Sequence, residues 1–124
     1  MILYTARVDY GGADRLDVTR KSSKGVGRLL APSWSILLPV ISARRAGKET
    51  PESWEAYEQA YLAELRASYR ANRPQWLELL AREEVTLCCY CDLAFVGTRC
   101  HRLILADVLQ KLGAQYRGER GEKA

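Results

Sequence analysis

Several signatures of common protein classes are missing from this sequence of 124 residues. It contains one histidine, so an imidazole base has a single candidate. No G-x-S-x-G segment, phosphate-cradling glycine loop or H-E-x-x-H pair occurs in it. Most common enzyme classes are therefore unsupported by any motif. The sequence also contains no internal repeat and no low-complexity segment.

Long apolar runs and a recognisable leader are missing as well. The longest apolar stretches fall short of the roughly 20 residues that a membrane span needs. Met1 is followed at once by the β-rich residues 2–6, with neither the basic start nor the cleavage site of a signal peptide. We therefore expect a cytoplasmic protein without a membrane partner.

All the cysteines lie in one short segment, as Cys88, Cys89, Cys91 and Cys100. A disulfide scaffold would scatter its cysteines along the chain, so this clustering predicts a reducing compartment and a functional site. A chain of this length can bury enough surface to fold without disulfides or a structural metal. The sequence permits a metal but does not require one, and we predict no cofactor.

The charge balance favours anionic partners only mildly. The net charge is +4 and the isoelectric point is near 9.0, well short of the basic stripe of a dedicated nucleic-acid-binding protein. Short basic clusters occur at Arg20-Lys21 and Arg44-Arg45. The first of them opens a Gly/Ser-rich segment, 20–28, that is typical of a functional or merely mobile loop.

The order of apolar and turn-forming segments predicts one α/β domain over residues 1–118, followed by a charged, frayed tail at 119–124. Strands are predicted at 2–8, 16–19 and 85–91, with an edge strand at 114–117. Helices are predicted at 32–41, kinked or divided at Pro39, and at 51–72, 74–84 and 103–112. This alternation indicates a small, open, mostly parallel sheet of three or four strands with flanking helices.

The segment 85–112 reads as a strand, a loop at 92–98 and a helix, the unit at which open α/β sheets bind ligands. We predict Thr98 as the N-cap, with Cys100 in the first helical turn. Unpaired backbone N–H groups make such a turn an anion site, and the fork of Arg102 suits phosphate or carboxylate. The helix start and its cationic neighbours should lower the pKa of Cys100 and make it a nucleophilic or redox-active thiolate. The alternative is that Cys100 simply packs beneath the loop.

Five segments resemble the bacterial and phage "domain of unknown function 488" family over nearly the whole chain. They are LYTAR at 3–7, LDVTRK at 16–21, APSW at 31–34, LCCYC at 87–91 and CHR at 100–102. The family's Asp-Val-Arg stretch is interrupted here by Thr19. The resemblance implies an intracellular α/β fold without naming a reaction.

The resemblance also implies a shared pocket of acid, base and thiol groups, formed by Asp17, Arg20, Cys91, Cys100, His101 and Arg102. Within it we predict catalytic roles for Cys100, His101 and Asp17, and ligand binding by Arg7, Arg20, Lys21 and Arg102. The expected ligand is an anionic small molecule or nucleotide.

Three functions remain open from the sequence. The first is an enzyme, or a degenerate one, that uses Cys100 on a phosphorylated or nucleotide-like substrate. The second is a zinc module using Cys89, Cys91, Cys100 and His101, although paired C-x-x-C knuckles are missing. The third is a nucleic-acid-binding accessory protein that uses the 20–28 segment and Arg44-Arg45. The oligomeric state is not predicted.

Overall fold

The computed structural model describes residues 1–91, 93 and 99–120. Four strands form one sheet: β1 (Ile2–Arg7), β2 (Arg15–Asp17), β3 (Glu84–Cys89) and β4 (Gln115–Glu119). The described helices are α1 (Val26–Leu30), α2 (Trp34–Arg45), α3 (Pro51–Ala71), α4 (Arg73–Leu80) and α5 (His101–Lys111). The strands lie in the order β2-β3-β1-β4 and every neighbouring pair is parallel. The predicted small, open, parallel α/β fold is confirmed.

The two central strands are the ones with the most apolar sequences. In β3 every residue after Glu84 is buried, as a strand covered on both faces must be. Its register with β1 sets Arg7 beside Cys89. The carboxyl ends of both central strands therefore reach the same edge of the sheet, and that edge carries the site described below.

The long helix α3 begins where the sequence predicts. Thr50 accepts a hydrogen bond from the Ser53 backbone, the Ser53 hydroxyl accepts one from the Thr50 N–H, and Pro51 occupies the first helical position. One apolar face of this helix packs against the core through Tyr57, Tyr61 and Leu65.

Two local predictions are wrong. The 20–28 segment is not wholly a loop, because Val26–Leu30 forms α1, with Gly25 at φ 58° before it. A Cβ on Gly27 would lie 2.1 Å from the Asp17 carbonyl oxygen, so α1 depends on this close approach to β2. The helix α2 continues through Pro39 as one element, so the alternative of two separate helices is wrong. Pro39 is exposed, so water can reach the carbonyl that it leaves unpaired.

The end of the described chain belongs to the sheet rather than to a tail. Glu119 ends β4, and the backbone N–H of Arg120 donates to the carbonyl of Thr5 at 2.7 Å. The predicted tail is therefore wrong for these two residues, and its remainder, 121–124, lies outside the described residues. None of the helices in the described ranges is both long enough and apolar enough to cross a membrane.

Candidate functional site

Three thiols meet where β3 ends and α5 begins. Cys89 is the last residue of β3, Cys91 follows two positions later, and Cys100 is the N-cap of α5. The Sγ atoms of Cys89 and Cys100 are 2.8 Å apart, and both thiols act to lower the pKa of Cys91. We call Cys89, Cys91 and Cys100 the thiol cluster. Cys88 lies outside it, because successive strand residues face opposite ways, and its Sγ contacts the Thr86 carbonyl at 3.5 Å.

A fully buried guanidinium supports the thiol cluster. Arg102 has 0% exposure, and its Nη1 donates to the Sγ of Cys89 at 3.0 Å and of Cys100 at 3.3 Å. The same nitrogen donates to the Cys91 carbonyl at 2.9 Å. On its other side, Nε and Nη2 donate to the Glu119 carboxylate at 3.2 and 2.7 Å. This bidentate pair fixes the fork of Arg102 against the sulfurs.

The thiols of the cluster differ in acidity. Hydrogen bonds with Cys100 and Cys89 hold the pKa of Cys91 far below its usual range, although burial opposes them, and the charge of Arg44 acts in the same direction. Burial raises the pKa of Cys100 well above its ordinary value, and its hydrogen bonds with Cys89 and Cys91 raise it further. These opposite shifts make Cys91, the least buried of the three, the most acidic thiol of the cluster.

The prediction of an unusually acidic Cys100 is consequently wrong. The predicted cap Thr98 and most of the predicted loop lie outside the described residues, and the helix starts at His101 rather than at Arg99. Cys100 precedes the first turn and makes no side-chain cap. It is 1% exposed, and the cost of burying its charge outweighs the helix start and the nearby cations.

His101 is buried and neutral. Its Nε2 lies 3.0 Å from the carbonyl of Val18, and because a carbonyl only accepts, Nε2 carries the hydrogen. Burial lowers the pKa of His101, although that hydrogen bond and the charge of Cys91 oppose the shift. The Tyr61 ring packs edge-on against the imidazole, with centroids 5.8 Å apart. The other ring nitrogen, Nδ1, therefore carries no hydrogen.

The Cys89, Cys100 and His101 ligand atoms lie within 4.8 Å of one another. Two soft sulfurs and one imidazole nitrogen suit zinc. Three of the four predicted metal ligands therefore lie close together, and the fourth, Cys91, lies outside this group.

A cavity of about 350 Å³ opens beside the cluster. Cys91 and His101 form part of its wall, and Trp34 and Tyr90 contribute aromatic surface. Four basic side chains line it as well: Arg20, Lys21, Arg44 and Arg45. None of the described residues on its wall is acidic, so the cavity carries positive charge next to a thiolate.

The basic side chains of this cavity differ in how their charges are matched. Arg44 is paired with Glu49 at 3.0 Å and lies 5.3 Å from the centroid of the Trp54 ring. Arg20 donates from Nε to the Pro32 carbonyl at 2.9 Å and from Nη2 to Ala31 at 3.4 Å. Because carbonyls are neutral, these contacts orient Arg20 without cancelling its charge.

Asp17 is not on the cavity wall, but it shapes the loop that carries Arg20 and Lys21. Its carboxylate accepts from the Thr19 backbone and hydroxyl at 2.8 and 2.7 Å and from the Ser22 hydroxyl at 2.5 Å. Burial raises the pKa of Asp17, but these hydrogen bonds outweigh it and the net pKa is lowered. Ser22 in turn contacts the Tyr90 hydroxyl at 2.8 Å. Asp17 thus connects the loop to the residue before Cys91.

The predicted site residues therefore fall into two groups. Arg20, Lys21 and His101 reach the cavity, whereas Arg102 and Cys100 lie beneath it in the core. Arg7 ends β1 next to Cys89. Sequence reasoning missed Glu119 as the partner of Arg102, since no local pattern connects a terminal strand to a helix start. It also missed Tyr90, whose exposure is visible only in the structure.

A family model described as "DUF488-N3a: Active DUF488-N3 subclade" matches residues 3–113. Neither the curated proteins nor the solved structures provide a match to this chain. The matched range contains β2, β3 and all of β1 except Ile2, together with every cysteine, and it ends before β4. The chain accordingly belongs to the DUF488 family, as its LCCYC and CHR segments had suggested.

Proposed function

We propose that the protein is an enzyme that binds a phosphorylated or nucleotide-like anion in the cavity and attacks it with the thiolate of Cys91. The observation that carries this proposal is the shared wall: Cys91 lines the same cavity as Arg20 and Lys21. A thiolate is the nucleophilic form of cysteine, and basic side chains without acidic neighbours attract and hold an anion. The name of the matched subclade, which calls it active, agrees with a catalytic role.

The chemistry is covalent catalysis. The sulfur of Cys91 forms a bond to the electrophilic atom of the substrate, and the bond to the leaving group breaks with its electron pair. Water then displaces the cysteine, and the imidazole of His101 on the same wall exchanges the proton. Cys100 acts through its hydrogen bond to Cys91, since only 1% of its surface is exposed. Arg102 is a positioning residue for the sulfurs.

The substrate class follows from the cavity's two kinds of surface. Trp34 and Tyr90 are 44% and 49% exposed, and flat aromatic faces suit a nucleobase. The basic groups suit its phosphate. A volume of about 350 Å³ is in the usual range for a small-molecule site.

Charged and neutral alkylating agents test both the anion-binding cavity and the reactivity of Cys91. Iodoacetate is an anion and iodoacetamide is not, so the cavity should raise the rate ratio of iodoacetate to iodoacetamide at Cys91 above that of a free thiol. Lys21→Ala should lower this ratio several-fold. Lys24→Ala is the matched control, because Lys24 is an exposed lysine of the same segment outside the cavity wall. Equal ratios in all three proteins would contradict the anion site.

A substrate screen tests catalysis itself. Nucleoside phosphates and sugar phosphates are incubated with the protein, and products and protein mass are followed by mass spectrometry. We expect turnover that Cys91→Ser abolishes and Cys88→Ser retains. Binding of oligonucleotides in preference to small phosphates, with a steep loss as salt rises, would instead favour the nucleic-acid-binding function.

A zinc site is the second candidate, favoured by the group of Cys89, Cys100 and His101. We rank it lower because the charged Arg102 already contacts both sulfurs, and a cation at that distance repels a metal ion. Zinc titration followed by elemental analysis separates the two proposals. Stoichiometric zinc that is lost in Cys100→Ser but kept in Cys88→Ser would favour the metal site.

A further inference from the structure

The two sulfur atoms of the site that lie closest to each other do not face the cavity. Cys89 and Cys100 are 0% and 1% exposed, yet their Sγ atoms are 2.8 Å apart. A disulfide bond is about 2.05 Å long, so these atoms need to approach by less than one ångström to become bonded. Arg102 holds both sulfurs through a single nitrogen, which keeps them side by side.

We propose that Cys89 and Cys100 are a redox modification site: they form a reversible intramolecular disulfide when a hydroperoxide oxidises the protein through Cys91. The inference rests on the proposed function in one respect, namely that Cys91 is the thiol that meets molecules entering the cavity. Its core, the pairing of Cys89 with Cys100, rests on the sulfur–sulfur distance alone.

Burial determines the route of oxidation. An oxidant cannot reach Cys89 or Cys100 directly, whereas Cys91 lines the cavity. Cys91 attacks the hydroperoxide: an S–O bond forms, the O–O bond breaks, and the alkoxide takes a proton and leaves as an alcohol. Cys91 is then a sulfenic acid.

Two exchange steps carry the oxidation inward. The Cys100 sulfur attacks the Cys91 sulfur, so that an S–S bond forms, the S–O bond breaks and water leaves with the thiol proton. The Cys89 sulfur then attacks Cys100, which releases Cys91 as a thiolate and one proton. In sum, two thiols lose two electrons, and the hydroperoxide becomes an alcohol and water.

The test exposes the full-length reduced protein to hydrogen peroxide with a chelator present, blocks the remaining thiols with iodoacetamide and maps the products. Trypsin cleaves after Arg82, Arg99 and Arg102, so Cys100 falls in a different peptide from the other cysteines. We expect a link between these peptides, assigned by fragmentation to Cys89 and Cys100, with Cys91 alkylated and full reversal by dithiothreitol.

Three variants make the pathway falsifiable. Cys91→Ser should slow disulfide formation at least tenfold, Cys100→Ser should stop at a Cys91 sulfenic acid that dimedone traps, and Cys88→Ser should behave like wild type. A link from Cys100 to Cys88, or equal oxidation rates in wild type and Cys91→Ser, would overturn the inference. If no disulfide forms but Cys91 still favours iodoacetate over iodoacetamide, the redox site alone is refuted. If the disulfide forms but Cys91 shows no preference for iodoacetate, the proposed function is refuted.

Discussion

Two arginines from the last quarter of the sequence, Arg102 and Arg120, organise two polar clusters on the same sheet, and their charges are compensated in different ways. Arg120 meets two carboxylates, Asp14 at 3.5 Å and Glu84 at 3.2 Å, and its guanidinium lies 3.7 Å from the centroid of the Tyr4 ring. Arg102 meets one carboxylate, that of Glu119, and two sulfurs. In the Arg120 cluster, two carboxylates compensate the cation. In the Arg102 cluster, one carboxylate does so, and the cation also contacts thiol groups, which can change protonation and oxidation state.

Exposure sharpens this difference. The Arg120 side chain retains 22% of its exposure, and the Arg102 side chain retains none. A partly exposed ion pair contributes little to stability because water competes for both ions. A buried cation is not hydrated by water, so the groups around it must provide its hydrogen bonds and the compensating charge. The Arg120 cluster therefore fastens the end of the chain, and the Arg102 cluster tunes the thiols.

The largest expected effect is on stability when each arginine is removed. Arg102→Met should cost about 3 kcal/mol of unfolding free energy, near the lower end for a broken buried pair because Glu119 can reach water. Arg120→Met, the matched control, should cost about 1 kcal/mol. Urea denaturation followed by circular dichroism measures both. A larger loss for Arg120→Met would reverse the assignment of the two clusters.

A smaller expected effect is the loss of stability at acidic pH through protonation of Asp14. Burial raises the pKa of Asp14, but hydrogen bonds donated by Thr86 and Tyr10 outweigh it, so the net pKa lies below the ordinary 3.8. A carboxyl group with a lowered pKa contributes stability that is fully present above its unfolded pKa and is lost as pH falls through its folded pKa.

We therefore expect Asp14→Asn to cost about 1 kcal/mol near neutral pH, the size typical of a partly exposed pair. The gap between wild type and variant should close below pH ~4. Urea denaturation repeated at a series of pH values measures that gap. A gap that persists unchanged in acid would show that the Asp14 charge does not stabilise the Arg120 cluster.

The sequence predicted the framework because local signals specified it. Thr50 and Pro51 marked the start of α3, and the apolar run before Cys89 marked the central strand β3. The short helix α1 was missed because its glycine-rich sequence has little helical preference of its own. It exists through a tertiary contact, the approach of Gly27 to the Asp17 carbonyl.

The sequence predicted which segments meet, but not how charge is distributed among their side chains. The strand that ends before Cys91 and the helix that follows Cys100 were both expected, and both form. Which thiol is acidic depends on burial and on contacts made across the fold, and adjacent positions in sequence report neither. Glu119 was assigned to a tail because nothing local shows that it meets Arg102 across 17 residues.

The central claim is that the reactive thiolate is Cys91 and that Cys100 is its protonated neighbour. The rate of iodoacetamide labelling of each cysteine, measured against pH and assigned by peptide mapping, tests it most directly. The account predicts that Cys91 is labelled first, with a midpoint below the ~8.5 of a free cysteine, and that Cys89 and Cys100 remain unlabelled until much higher pH. Faster labelling of Cys100 than of Cys91 at neutral pH would contradict it.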